Sequence, residues 1–352
     1  MAERLHKKPL INFLTILIMF PWLVLLILSG DAIGHTTSFD EYFLLITPDA
    51  RGCGLANGGG AFAHGASAAY YNPANLATIN KCDIEFSYIN PETHDERYKI
   101  FDYRIGANIG KWGYWGIAFY NDSWDYTYYL FDYTTRGKIN HKIVNLNMAY
   151  SINPHISLGT GVKYIYNHFK ESYSLFSSWG YTRQSIALDI GINISNIFPN
   201  FTLMKNEYMM EKPGIVNSHK GVSLGLSFAN IGPIARKTEN SDKPHLPQRM
   251  RISTGYQMIN TDNIGLQLTL DATTFLIDIR DYHNQKLDKT AWHYGINIAV
   301  ARLIQMRFGR RLNYLDDDKS IGLGISTEVR GFSAGIAANG DVDYVLTISY
   351  RL

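Results

Sequence analysis

From Ser185 the chain reads Ser-Ile-Ala-Leu-Asp-Ile-Gly-Ile-Asn-Ile. This sets Ile186, Leu188, Ile190, Ile192 and Ile194 on one face of an extended segment and Ser185, Ala187, Asp189, Gly191 and Asn193 on the other. A period of two marks a β-strand with one apolar face. The same division returns in Val144, Leu146, Met148 and Tyr150, in Val222, Leu224, Leu226 and Phe228, in Ile264, Leu266, Leu268 and Leu270, and in Tyr344, Leu346, Ile348 and Tyr350. Each of these sets alternates with small or polar residues. Sustained over about ten residues, the pattern matches tilted strands crossing the apolar band of a membrane barrel. Lipid tolerates no unpaired strand edge, so the sheet has to close. The expected fold class is all-β, a transmembrane antiparallel β-barrel.

The composition agrees, with 24 tyrosines for interfacial girdles and 30 glycines for tight turns. A mean hydropathy of −0.14 excludes a polytopic helical membrane protein. A net charge of +2 implies no nucleic-acid partner.

Fourteen strands are predicted, near 84–90, 99–109, 113–121, 141–151, 156–168, 183–195, 221–230, 248–259, 264–276, 291–302, 304–313, 319–328, 332–338 and 343–352. With both termini periplasmic, short turns at Gly110-Lys111, Asn153-Pro154-His155, Thr261-Asp262-Asn263 and Arg330-Gly331 fall on one side. Longer links near 91–98, 122–140, 169–182, 231–247 and 277–290 fall outside, the usual asymmetry of such barrels. The tyrosine-rich stretch Asp125 to Thr135 is expected in an external loop. A link at 196–220 breaks the rule as a long periplasmic loop.

Residues 1–34 read as an export signal, with Arg4, Lys7 and Lys8 before an apolar run from Leu10 to Leu28 and small residues after it. An uncleaved anchor is the alternative reading. Between this segment and the first strand, residues 35–81 contain Ala50 to Ala77, a run rich in Gly and Ala that has too few large apolar side chains to form a core alone. It has to pack inside something else, and barrel parity brings it into the lumen from the periplasmic side, leaving 82–352 as the barrel. Cys53 and Cys82 either form one disulfide that pins this run to the first strand or stay as two free thiols.

A Gly/Ala-rich run ending in Asn72-Pro73-Ala74-Asn75-Leu76 just before such a barrel resembles the FadL-like superfamily of outer-membrane barrels, and more closely its PorV/PorQ (UPF0164-type) branch. Ala187-Leu-Asp-Ile-Gly191, Gly221 to Pro233 and Leu246 to Tyr256 resemble the family's later motifs in the same order. The resemblance implies that Arg51, Gly54, Gly58, Gly59, Gly60, Phe62, Asn72, Pro73, Ala74, Asn75 and Leu76 belong to a plug or hatch in the lumen. It implies two functions. PorV-like proteins bind or shuttle type IX secretion cargo, through the cargo's C-terminal domain, or contact the secretion machinery. FadL-like proteins take up long-chain fatty acids and other hydrophobic small molecules. The chain departs from the family pattern at Asn75, where glycine is usual and Asn is expected to tolerate positive φ, and near His64 and Gly65, where acidic residues are missing.

Arg249, Arg251, Arg307 and Arg311 share parity with the small and polar faces, as do Asp189, Asp271 and Glu328. In the lumen they would form ion pairs holding the plug, or bind an anionic group. Phe198, Phe201, Met204, Tyr208, Met209 and Met210 make the long link a candidate partner loop, because Met-rich surfaces adapt to protein or lipid. Histidine spacing suggests no metal site, Ser67 lacks a nucleophile elbow, and no phosphate loop follows Gly58-Gly59-Gly60. The expectation is therefore a protein with no enzymatic activity and no cofactor in the bacterial outer membrane, surrounded by its lipid.

Overall fold

The computed structural model describes residues 36–37, 43–91, 99–130, 133–173, 178–198, 203–205, 221–232, 246–276, 278–279, 290–312, 321–340 and 342–352. Residues 1–34, where an export signal is expected, lie outside them. Fourteen strands form the barrel: β1 (Cys82–Pro91), β2 (Lys99–Asn108), β3 (Tyr114–Leu130), β4 (Tyr133–Asn153), β5 (Ile156–Tyr173), β6 (Ser178–Ile197), β7 (Gly221–Ile231), β8 (Arg249–Asn260), β9 (Ile264–Phe275), β10 (Thr290–Val300), β11 (Ile304–Leu312), β12 (Ile321–Val329), β13 (Phe332–Asn339) and β14 (Val342–Arg351). Each pairs antiparallel with its sequence neighbours, and β14 returns to β1 with Ser349 opposite Glu85. The ladder therefore closes and leaves no edge in the apolar band.

Alternation decides which face meets which medium. Ile186, Leu188 and Ile190 on β6 are 55%, 47% and 46% exposed, while Ala187 and Asp189 between them are buried. Ile105, Ile117, Leu146, Ile325 and Ile348 are exposed in the same way around the ring. A continuous apolar exterior of this kind is incompatible with water and fits acyl chains. Trp112, Tyr150, Phe332 and Tyr350 are exposed near the end that carries Cys82 and Leu352, where aromatic side chains prefer the interface.

Strands β3 to β6 run 17, 21, 18 and 20 residues, against 8 to 12 for the other ten. The expected external loop over Asp125 to Thr135 is instead ladder: Asp125 pairs with Lys138 and Tyr128 with Thr135. The expected link at 169–182 is likewise strand up to Tyr173 and again from Ser178. Beyond the lipid neither face has to be apolar, so the alternation fades while the backbone pairing continues. At the opposite end the turns are tight, as at Pro154-His155 and Arg330-Gly331. Within the long link only 198 and 203–205 are described, and Met204–Lys205 runs parallel to Ile259–Asn260. Phe201, Tyr208, Met209 and Met210 lie outside the described residues.

Met148 sits midway along the lipid-facing row of β4 from Ile152 to Val144. Met148→Arg is expected to cost about 2–4 kcal/mol, the range for a cation near the bilayer midplane. Urea unfolding in liposomes, followed by tryptophan emission, measures this. A loss near zero would place this face in the lumen.

Candidate functional site

Residues 43–79 are almost wholly buried, although they contribute no strand to the ladder. Two short helices, α1 (Ala50–Gly54) and α2 (Ala68–Tyr71), and a 3-10 turn, Pro73–Thr78, shape the segment. Asp49 caps α1, its carboxylate accepting from the Gly52 amide at 2.7 Å. The Asn72 side chain caps the 3-10 turn through the Ala74 amide at 3.0 Å, with Pro73 in the first turn.

The lumen wall admits this backbone because its inward positions are small. A Cβ on Gly159 of β5 would run into the backbone of Pro73 and Ala74, one on Gly191 of β6 into Asn72, and one on Gly309 of β11 into Leu55 and Ala56. On β8, the Phe62 ring occupies the space over Gly255. Leu76 packs 3.1 Å from the equivalent point on Gly116 of β3. Gly54 lies against Gly324 of β12, and Gly58 against His293 of β10. Inward glycine is therefore a matter of clearance, and it recurs on strands all around the ring.

Hydrogen bonds tie the segment to widely separated strands. The Ala50 amide donates to Thr347 Oγ1 on β14 at 2.9 Å, and the Gly60 amide to Asp271 Oδ2 on β9 at 2.8 Å. Asn72 Nδ2 donates to the Ile192 carbonyl on β6 at 2.9 Å, while Ser227 Oγ on β7 donates to the Tyr71 carbonyl at 2.8 Å. Arg251 Nη2 reaches Asn57 Oδ1 at 3.2 Å, and His293 Nδ1 meets the Ala56 carbonyl at 2.8 Å. Asn75 Nδ2 donates to the Gly60 carbonyl, which closes the segment on itself.

Tyr70 and Tyr71 pack edge to face with their centroids 5.1 Å apart and sit among lumen guanidiniums. Arg249 lies 4.6 Å over the Tyr70 ring and Arg251 5.2 Å over Tyr71, a desolvated setting in which cation–π attraction is strongest. Tyr71 also donates to Asp49 Oδ1 at 2.8 Å. Burial alone would raise the Asp49 carboxyl. The Arg51 guanidinium, Ser67, the Gly52 amide and Tyr71 outweigh it and hold the group below its usual range. Burial, reinforced by Asp49, pushes the Tyr71 hydroxyl well above 10.

The lumen charges fall into two groups. Asp189 is paired with Lys163 at 2.8 Å and accepts from the Asn230 amide at 2.9 Å. Glu328 pairs with Arg351 at 3.3 Å, and Arg351 also pairs with Asp83 at 2.9 Å, which stitches β12, β14 and β1 together near the chain end. Arg249, Arg251 and Asp271 touch the segment directly, whereas Arg307 donates to Ser326 Oγ at 2.9 Å and to Gln305. Arg311 is buried on the same strand as Arg307.

Three expectations change, and the alternative left open for the two cysteines narrows. Asn75 needs no positive φ, because it lies in the 3-10 turn and only its side chain is used. Cys53 and Cys82 are not joined by a disulfide, and Cys53 is buried within α1. Phe43, Leu44 and Ile46 cluster with Ile89, Ile100, Val342 and Val345, at the barrel end away from Cys82, so the segment descends toward β1 from the outer mouth. Finally, Asp83 supplies a carboxylate where the family's acids near His64 and Gly65 are missing, its Oδ2 lying 2.7 Å from where a Gly65 Cβ would be, and Arg51 donates to the His64 carbonyl at 2.8 Å. The sequence reading missed Asp49, Tyr70, Tyr71, His293 and Arg104, which donates to the Ser67 carbonyl at 3.3 Å. The signal it had for Arg104 and His293 was their inward parity on β2 and β10.

Two small cavities among the described residues border the segment. One of about 40 Å³ is bordered by Phe43, Leu44, Ile46, Tyr120 and Ile143, with Lys163 at its polar side. Another of about 40 Å³ is polar, lined by Arg51, Glu85, Arg307, Glu328 and Arg351 among others. Each has room for roughly three water molecules and too little for an aromatic ring.

No protein-family model matches the sequence, and no curated protein matches it. Among solved structures, the toluene transporter TodX of Pseudomonas putida superposes with a TM-score of 0.57 over 92% of this chain and 99% of its own, at 9% identity. A FadL homologue of Pseudomonas aeruginosa gives 0.50 over 87% and 98%, at 12% identity. The CymD monoaromatic hydrocarbon channel gives 0.50 over 87% and 97%, at 13% identity. At these identities the likeness is one of fold.

Cys53 is a natural reporter of this packing. In a Cys82→Ser background it should resist maleimide, whereas adding Gly309→Val should expose it and raise labelling at least about tenfold while the barrel stays heat-modifiable on gels. Equal labelling of both proteins would show that the segment does not depend on the glycine clearance. Acid provides a second handle. A carboxyl lowered by folding stabilises the native state above its unfolded pKa, near 3.8, and that contribution is lost as pH falls through the lowered value. Cys53 reactivity toward dithiodipyridine should therefore rise as pH drops below about 4. Asp49→Asn should be more reactive at neutral pH and lose this pH step.

Proposed function

We propose that the chain is an outer-membrane channel for small hydrophobic molecules, and that residues 43–79 form a plug which has to shift for passage. The observation that carries this reading is the segment itself: it packs against inward positions on strands around a barrel with the fold of a toluene transporter and a monoaromatic hydrocarbon channel. An open aqueous porin would keep its lumen free. In this reading Arg51, Gly54, Gly58, Gly59, Gly60, Phe62 and Asn72 to Leu76 are the fitted surface of the plug. Arg249, Arg251 and Asp271 are the wall groups that hold it, and the apolar cavity around Phe43 and Tyr120 is the first space to widen. The secretion role gains no support from the fold.

Radiolabelled toluene and oleate offered to bacterial cells lacking their own hydrophobic-compound channel should enter faster when this protein is expressed. Uptake no faster than in cells carrying an empty vector would overturn the proposal. Deleting residues 43–79 should in addition raise ion conductance in planar bilayers by at least about tenfold, because the lumen of a barrel this wide is open once unfilled. Unchanged conductance would count against the plug.

A further inference from the structure

The outer parts of β3 to β6 carry a feature that channel function does not use. Side chains there still alternate between a face continuous with the lipid-facing surface and a face continuous with the lumen. On the lumen face, charges are sequestered: Asp122 is buried 2.8 Å from His141, and Arg183 stacks 4.2 Å from the centroid of Tyr181. The outward face is basic. Arg136, Lys138 and Lys142 on β4 and Lys170 on β5 are all exposed. Among the described residues of these outer parts, Asp125 is the one outward acid, 3.7 Å from Lys138 with both side chains more than half exposed.

The ladder register sets Lys138 directly opposite Lys170, with Arg136 opposite Ser172 and Lys142 opposite Tyr166. Like charges facing each other across strands are destabilising unless an anion lies between them. The height of the patch identifies that anion. On β4 the lipid-facing row from Ile152 to Val144 spans roughly 27 Å along the strand, or about 20 Å of membrane at the usual tilt. Lys142 is the next outward side chain above it, and Lys138, Lys170 and Arg136 follow within about another 15 Å. Directly below lie Val144, Val162 and Tyr164, exposed to acyl chains. A ligand with hydrocarbon chains beneath and phosphates above would satisfy both surfaces at once.

We propose that this outward patch binds the phosphorylated headgroup of the outer-leaflet glycolipid, with Lys138 and Lys170 sharing one phosphate and Lys142 and Arg136 holding its neighbours. The proposal rests on the outer-membrane placement above and not on any transported molecule.

The test uses the full-length purified barrel in detergent with diphosphorylated lipid A, dephosphorylated lipid A and inorganic phosphate as separate probes, read by native mass spectrometry. Diphosphorylated lipid A should stay bound. The Lys138→Gln, Lys142→Gln, Lys170→Gln triple variant should bind it at least about tenfold more weakly. The corresponding Lys→Arg triple variant should retain binding, and heat-modifiable migration reports whether each barrel is folded. Equal binding by the Gln variant, equal binding of dephosphorylated lipid A, or inorganic phosphate binding as tightly as the lipid would each overturn the proposal. Toluene uptake should be unchanged in the Gln variant, so this inference and the channel reading fail separately.

Discussion

A β-ladder in hydrocarbon cannot stop, because each unpaired amide or carbonyl would have no water to turn to. In this chain the constraint is met by joining β14 to β1, and most of the architecture follows from that closure. Fourteen strands enclose a lumen wider than side chains alone can fill, since about eight strands are the limit for that. Something has to occupy the space or it fills with water. Residues 43–79 pack against its wall, whose inward positions are small so that backbone can approach backbone.

The filling comes with charge. Arg249, Arg251 and Asp271 are buried on strands whose outer faces are lipid, where an unmatched ion would be costly. The segment supplies partners: the Tyr70 and Tyr71 rings beneath the guanidiniums, Asn57 for Arg251, and the Gly60 amide for Asp271. The Asp49, Arg51 and Tyr71 group is built within the segment itself, so part of its shape does not depend on the wall. Charge thus positions the segment, while glycine makes the room.

The barrel was legible in the sequence because lipid on one side and a filled lumen on the other enforce a period of two in every strand. Wherever that asymmetry ends, the signal ends with it. The tips of β3 to β6 stand above the lipid and show aromatic and polar residues at both parities, so Asp125 to Thr135 resembled a loop although its backbone continues the ladder. The lumen segment stood out through its composition, but neither its direction nor its contacts could be read. Those depend on which inward glycine faces which backbone turn, a pairing across more than a hundred residues. Asn75 shows the limit well: the sequence drew attention to its backbone, whereas its buried side chain makes the contact.

One consequence concerns motion. Every strand of the barrel is paired on both sides by other strands, and the segment adds no rung to that ladder. Its displacement would therefore leave the lipid-facing wall closed, at the cost of the segment's own contacts only. Those contacts are individually modest, a set of hydrogen bonds of about 1 kcal/mol each together with apolar burial. They are distributed over β3 to β14 and are not concentrated on one strand. Such a segment can loosen on one side while held on the other. The polar cavity between Arg51 and the hydroxyl-rich wall of β12 to β14 gives water a place beside the segment.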